Sequence, residues 1–167
     1  MPTDQDRTSL LRASAHAFSH ALINPPAPSE LLSRYFTSTP TIHEHGPSWA
    51  STQLPFLGRR FHGAHECATY FETLSSTLKM QLRGDSFPGP EGFVVDADAN
   101  TVTVVGSGVF ESTRTGRSWE ERFVWVLGGW DDQGRVGTWD VWADPLSAWC
   151  AVQEGEVEGW GKGERRS

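Results

Sequence analysis

From residue 93 to residue 145 the chain obeys one spacing rule. The segments FVVDADA, TVTVVGSGVFES, SWEERFVWVLGGW and RVGTWDVWADP are rich in Val, Thr and aromatic residues, and their apolar positions recur at every second residue. Asp98-Ala99-Asn100, Thr115-Gly116 and Asp132-Gln133-Gly134 separate them with turn chemistry. A period of two interrupted by short turns predicts an antiparallel meander. Several of these segments reach ten residues or more, and long twisted strands curl into a half-barrel.

Ahead of the meander the spacing is helical. In LLRASAHAFSHALI, Leu11, Ala15, Phe18 and Leu22 fall on one face, with Thr8 or Ser9 as the expected N-cap and Asn24-Pro25-Pro26 as the stop. Ser29 is the expected cap of a second short helix, ELLSRYF. Residues 41–45 read as a short strand. Residues 64–80 form the clearest helix, with Cys67, Tyr70, Phe71, Leu74 and Leu78 as its apolar stripe. Pro145 opens a last helix, PLSAWCAV. Helices followed by a strand meander define an α+β class. The expected architecture is a cone-shaped, strongly curved antiparallel sheet packed with the N-terminal and central helices. The space inside such a cone is a ready-made small-molecule pocket.

The 167 residues suffice for one domain with a real core. It is placed at residues 8–152, between an N-terminus (1–7) and a Gly- and charge-rich tail (153–167) expected to be disordered. Fourteen Lys and Arg against 21 Asp and Glu leave a net charge of −7, which disfavours nucleic acid and anionic membrane surfaces as partners. No run approaches the length of a membrane span and no signal peptide is visible, so a cytoplasmic location is expected. Two cysteines make no disulfide framework, and Cys67 on an apolar stripe reads as a buried free thiol. Phosphate-cradling glycine motifs and the Gly-x-Ser-x-Gly elbow are missing from the sequence.

Three segments carry a family resemblance: LPFLGRRFHG, ATYFETLSSTL, and TGRSWEERFVWVLGGWDDQGRVGTWDVWADPLSAW. Together they resemble the nuclear transport factor 2-like superfamily, and within it the SnoaL-like group of polyketide cyclases and ketosteroid isomerase relatives. The resemblance implies a cofactor-independent isomerase, cyclase or dehydratase acting on a hydrophobic polyketide- or terpenoid-like molecule of the kind met in secondary metabolism. SnoaL-type cyclases use an Asp at the end of the last strand; Asp144, ten residues after Gly134, matches it. The isomerase base follows a Thr-Val-Glu run; Thr41-Ile42-His43-Glu44 is similar and places Glu44 there. The isomerase's tyrosine donor falls near His20, which is not Tyr, and its second, protonated Asp has no convincing counterpart, so the chain departs from that enzyme's full set. Transport-type members of the superfold bind without chemistry, which leaves a ligand-binding or protein-interaction module as the alternative.

Chemistry narrows the candidates. A carboxyl in a dry, Trp-lined pocket has a raised pKa and can serve as acid or base near neutrality. The catalytic candidates are Glu44 and Asp144, with His45 as a proton-transfer partner. Asp144 equally suits the N-cap of the last helix and Glu44 a solvent-facing strand position. Glu121 and Asp140 read as solvated or paired with Arg117, Arg122 or Arg135. Tyr70, Phe71, Trp125, Trp139 and Trp142 are the candidate substrate-binding residues; the tryptophans fit a core or dimer interface as well. His43 and His45 share a strand face and with His62 and His65 make a conceivable zinc set, but the spacing matches no metal motif, so no metal is expected. The expected partners are a small hydrophobic molecule and a second copy of the chain, joined through the convex sheet face. Strand register decides which tryptophans face inward. A two-residue turn at Thr115-Gly116 would set Gly106 opposite Trp125 and Gly108 opposite Phe123; a three-residue loop would reverse the faces.

Overall fold

The computed structural model describes residues 3–160. Helix α1 (Asp4–Ala21) and helix α2 (Pro28–Tyr35) lead into strand β1 (Phe36–Glu44). Strand β2 (Arg60–His62) precedes helix α3 (Gly63–Thr77). Strands β3 (Leu78–Gln81), β4 (Val94–Asp96), β5 (Thr101–Ser112), β6 (Ser118–Gly128) and β7 (Val136–Trp142) follow, and helix α4 (Pro145–Val152) closes the domain.

The first helix starts earlier than its apolar face suggests. The Asp6 N–H donates to Thr3 Oγ1 at 3.2 Å while the Thr3 N–H donates to Asp6 Oδ2 at 2.9 Å, a reciprocal cap that extends α1 back to Asp4. Thr8 and Ser9 therefore lie inside the helix, and residues 3–7 are ordered structure. At the other end Arg117 donates to the backbone carbonyls of Gln153 and Gly155, which ties down the start of the tail. The outermost parts of both segments expected to be disordered, residues 1–2 and 161–167, lie outside the described residues. Helix α2 starts on Pro28, with no side-chain cap from the expected Ser29.

The seven strands form one sheet in the order β2-β1-β7-β6-β5-β3, with β4 also pairing β5. The sheet is mixed rather than wholly antiparallel, because β1 and β7 run parallel. Helix α3 is shorter than its stripe: Leu78 leaves it to pair with Ser112 on β5. The stripe still does its work. Cys67, Tyr70 and Leu78 are buried, and Cys67 is a free thiol, pushed up to about 11 by burial.

The register of β5 on β6 follows neither expected turn. Residues 113–116 form a four-residue loop in which the Gly116 N–H donates to the Ser112 carbonyl and Gly116 takes φ 72°, where a glycine is favoured. Gly106 then faces Phe123 and Gly108 faces Glu121. This is a slide of two residues from the two-residue-turn register, so every side chain keeps its face. Gly106 is required there, because a Cβ would stand 2.3 Å from Phe123 Cε2.

Alternation along these strands divides the sheet. Glu44, Val104, Glu121, Phe123, Trp125, Leu127, Trp139 and Val141 are buried on the inner face against the helices. Val105 and Trp142, 42% and 44% exposed, belong to the outer face.

Candidate active site

The inner face and the helices enclose a cavity of about 410 Å³. Its wall is mostly aromatic and aliphatic, with Glu44, Glu121, Asp144 and Lys79 as its charged residues. Tyr70 and Phe71 reach it from α3, and Trp119, Trp125 and Trp139 from the sheet. Trp125 and Trp139 pack edge to face at 4.9 Å, and Tyr70 meets Trp139 at 5.9 Å. The Trp139 indole N–H is buried and finds no acceptor among the described residues.

Glu44 sits at the end of β1, opposite Val141 on β7. Only 8% of it is exposed. Tyr70 Oη donates to Glu44 Oε2 at 2.8 Å. Burial pushes the Glu44 carboxyl up to about 8; the Tyr70 hydrogen bond opposes this and the charge of Glu121 adds to it. Glu44 is therefore mostly a neutral acid at pH 7. Burial and the adjacent Glu44 raise Tyr70 well above its ordinary value, so it stays a donor.

Glu121, whose charge predicts solvent or an arginine partner, is instead buried and accepts from Trp119 Nε1 at 2.6 Å. Burial lifts it to about 7, held back by the Trp119 bond and raised further by Asp144. The three arginines are engaged elsewhere or face away. Arg117 holds carbonyls at and after the end of α4, Arg135 pairs with Asp131 at 2.7 Å, and Arg122 points outward, one residue out of phase with Glu121. The signal was available: Glu121, Phe123 and Trp125 recur at every second position, so an inward Trp125 carries Glu121 inward with it.

Asp144 lies at the cavity rim as the N-cap of α4. Its Oδ1 accepts from the Ser147 N–H at 3.0 Å and its Oδ2 from the Ser147 hydroxyl. Both readings of this residue coexist in the structure, cap and wall.

Two sequence-selected residues are not brought to the cavity. His45 follows Glu44 directly, and a period of two sends its ring to the opposite face, where Nε2 lies 2.8 Å from Asp140 Oδ1. It cannot share a proton with Glu44 across the strand. Trp142 stands three residues from the inward Trp139 and must also face out; it stacks on His45 at 3.9 Å and 7°. His62 separates from the histidine set as well, its Nδ1 bonded to Thr41 Oγ1 at 2.9 Å.

No family model and no curated protein matches the sequence. Solved structures do match the fold. An NTF2-like protein from Burkholderia xenovorans LB400 aligns over 92% of this chain and 100% of its own with TM-score 0.62 and 15% identity. A proposed polyketide cyclase from Xanthomonas campestris pv. campestris aligns over 88% and 99% with TM-score 0.65 and 11% identity. The BvnE pinacolase of Penicillium brevicompactum aligns over 85% and 89% with TM-score 0.59 and 16% identity. The architecture is thus that of the NTF2-like (nuclear transport factor 2-like) proteins. Proteins described as SnoaL-like polyketide cyclases share it, among them one from Jannaschia sp. CCS1. Among the described residues no helix is long and apolar enough to cross a membrane.

Proposed function

We propose that the protein is an acid–base isomerase, cyclase or dehydratase for a small hydrophobic carbonyl compound of polyketide or terpenoid type, working with carboxyl groups alone. The observation that carries this reading is the pair of buried carboxyls, Glu44 and Glu121, on one apolar cavity and both raised toward neutrality. Two acids with separated protonation behaviour divide the labour. Glu121, near half ionised at pH 7, removes a proton from the carbon beside the carbonyl. Glu44, still protonated and braced by Tyr70, stabilises the developing enolate oxygen or returns the proton. Asp144 keeps Glu121 from ionising early. Trp125, Trp139 and Phe71 supply flat contact surfaces.

The test is solvent exchange. A panel of polycyclic β-dicarbonyl compounds is incubated with protein in deuterated water, and label at the carbon is read by mass spectrometry. The reading expects enzyme-dependent label that Glu121→Gln abolishes and Glu44→Gln cuts by about two orders of magnitude or more. Saturable binding of the same compounds without exchange would replace this reading with a ligand-binding module.

A further inference from the structure

A second cluster lies on the outer face of the sheet, away from the cavity. His43 projects outward from β1 and His45 from the residue just after it, and Asp140 projects from the position on β7 that pairs with His43. His45 Nε2 lies 2.8 Å from Asp140 Oδ1, and His43 Nδ1 lies 3.7 Å from the same oxygen. One ligand atom from each residue falls within 4.8 Å of the others. His43 Nδ1 is buried and has no hydrogen-bond partner among the described residues; 3.7 Å is too long for one. A buried nitrogen left this way is costly unless something else engages it.

The spacing suits a metal ion. Ligands at 2.0–2.1 Å in a tetrahedral shell stand about 3.3 Å apart, and the two carboxylate-to-imidazole separations, 2.8 and 3.7 Å, straddle that value. Two imidazoles and a carboxylate favour borderline divalent metals, zinc foremost, over magnesium or calcium. All three side chains are partly exposed, 17% for His43 and 27% for the other two, so the cluster lies at the surface although His43 Nδ1 itself is covered. Trp142 stacked on His45 fixes that ring's plane. The nearby cation, Arg60 on β2, lies opposite His43 in the β1–β2 register and is itself exposed.

We propose that His43, His45 and Asp140 form a zinc-class metal site on the outer face of the sheet. Glu44 lies between the two histidines in the chain and points the other way. A bound ion would therefore clamp β1 to β7, the parallel pair of the sheet, directly behind the buried acid. Its role is to brace the strand, and it takes no part in the chemistry inside the cavity.

The test uses tag-free full-length protein and needs no substrate, so its result is separate from that of the carboxyl reading. Zn²⁺ is titrated calorimetrically, and Co²⁺ is followed by its visible absorption. The site predicts one equivalent bound, a raised melting temperature, and visible bands of a low-coordinate cobalt centre. The His43→Ala/His45→Ala double variant and Asp140→Asn should each weaken binding by at least about tenfold, and His62→Ala should leave it unchanged. If the double variant misfolds, imidazole NMR of the unmodified protein decides: zinc must shift His43 and His45 and spare His62. Failure of the unmodified protein to bind, undiminished binding by a folded double variant, or shifts confined to other histidines would overturn the proposal.

Discussion

Replacing Glu44 by Gln should stabilise this protein, and increasingly so as the pH rises. Glu44 titrates near 8 in the fold and near 4.3 in an unfolded chain. Between those values the folded state holds a proton that the unfolded state has released. Stability therefore falls as pH rises, by roughly 1.4 kcal/mol per pH unit for one proton. The contribution is fully present below the unfolded pKa and lost as pH climbs through the folded one. The penalty at pH 8 comes to about 5 kcal/mol, against about 1 kcal/mol at pH 5. Gln has the same shape, carries no charge at any pH and keeps an oxygen to accept the Tyr70 hydroxyl, so the variant escapes this penalty. The assay is urea unfolding of both proteins at intervals from pH 5 to pH 8, with stability extrapolated to water. The variant should gain on the parent at each step and lose activity throughout, the trade-off expected where function maintains a destabilised group. Parallel stability curves for the two proteins, or a variant weaker at every pH, would refute the claim that Glu44 is desolvated.

Tyr70→Phe removes the bond that favours the ionised form of Glu44, so the pH at which Glu44 titrates should rise further, read as an upward shift in a pH–activity or carboxyl NMR titration. The two tryptophans should separate cleanly: Trp139→Ala opens the core and should cost roughly 3–5 kcal/mol in denaturant unfolding, while Trp142→Ala on the outer face should cost under about 1 kcal/mol and leave ligand affinity intact. Gly106→Val collides with Phe123 and should cost roughly 1–3 kcal/mol or more in the same unfolding assay. If the outer sheet face pairs two copies of the chain, as its exposed Val105 and Trp142 suit, Val105→Arg should convert a dimer to a monomer by light scattering without altering the fold.

Much of this protein is legible from local spacing. The strand TVTVVGSGVFES begins and ends where its alternation begins and ends, and PLSAWCAV is a helix from its proline to its valine. Leu11, Ala15, Phe18 and Leu22 are buried, as their helical spacing requires. Tyr70 lines the cavity from the helical stripe its spacing defines; Glu44, singled out by the family resemblance rather than by spacing, lines it too. Phase is harder to read. A strand cannot point adjacent residues, or residues three apart, to one face without a bulge, so His45 parts from Glu44 and Trp142 from Trp139. Glu121 follows the alternation of Phe123 and Trp125 rather than the exposure usual for its charge.

The amino-acid order alone fixes which side chains share a face, because the periods of helix and strand are set by covalent geometry. It cannot choose which of two faces meets the helices, since that choice depends on a loop four residues long, a parallel pairing of strands distant in sequence, and the burial gained when the whole sheet closes over α3. Folding settled those matters together. By doing so it turned two ordinary glutamates into poised acids on the inside, and set two histidines and an aspartate side by side on the outside.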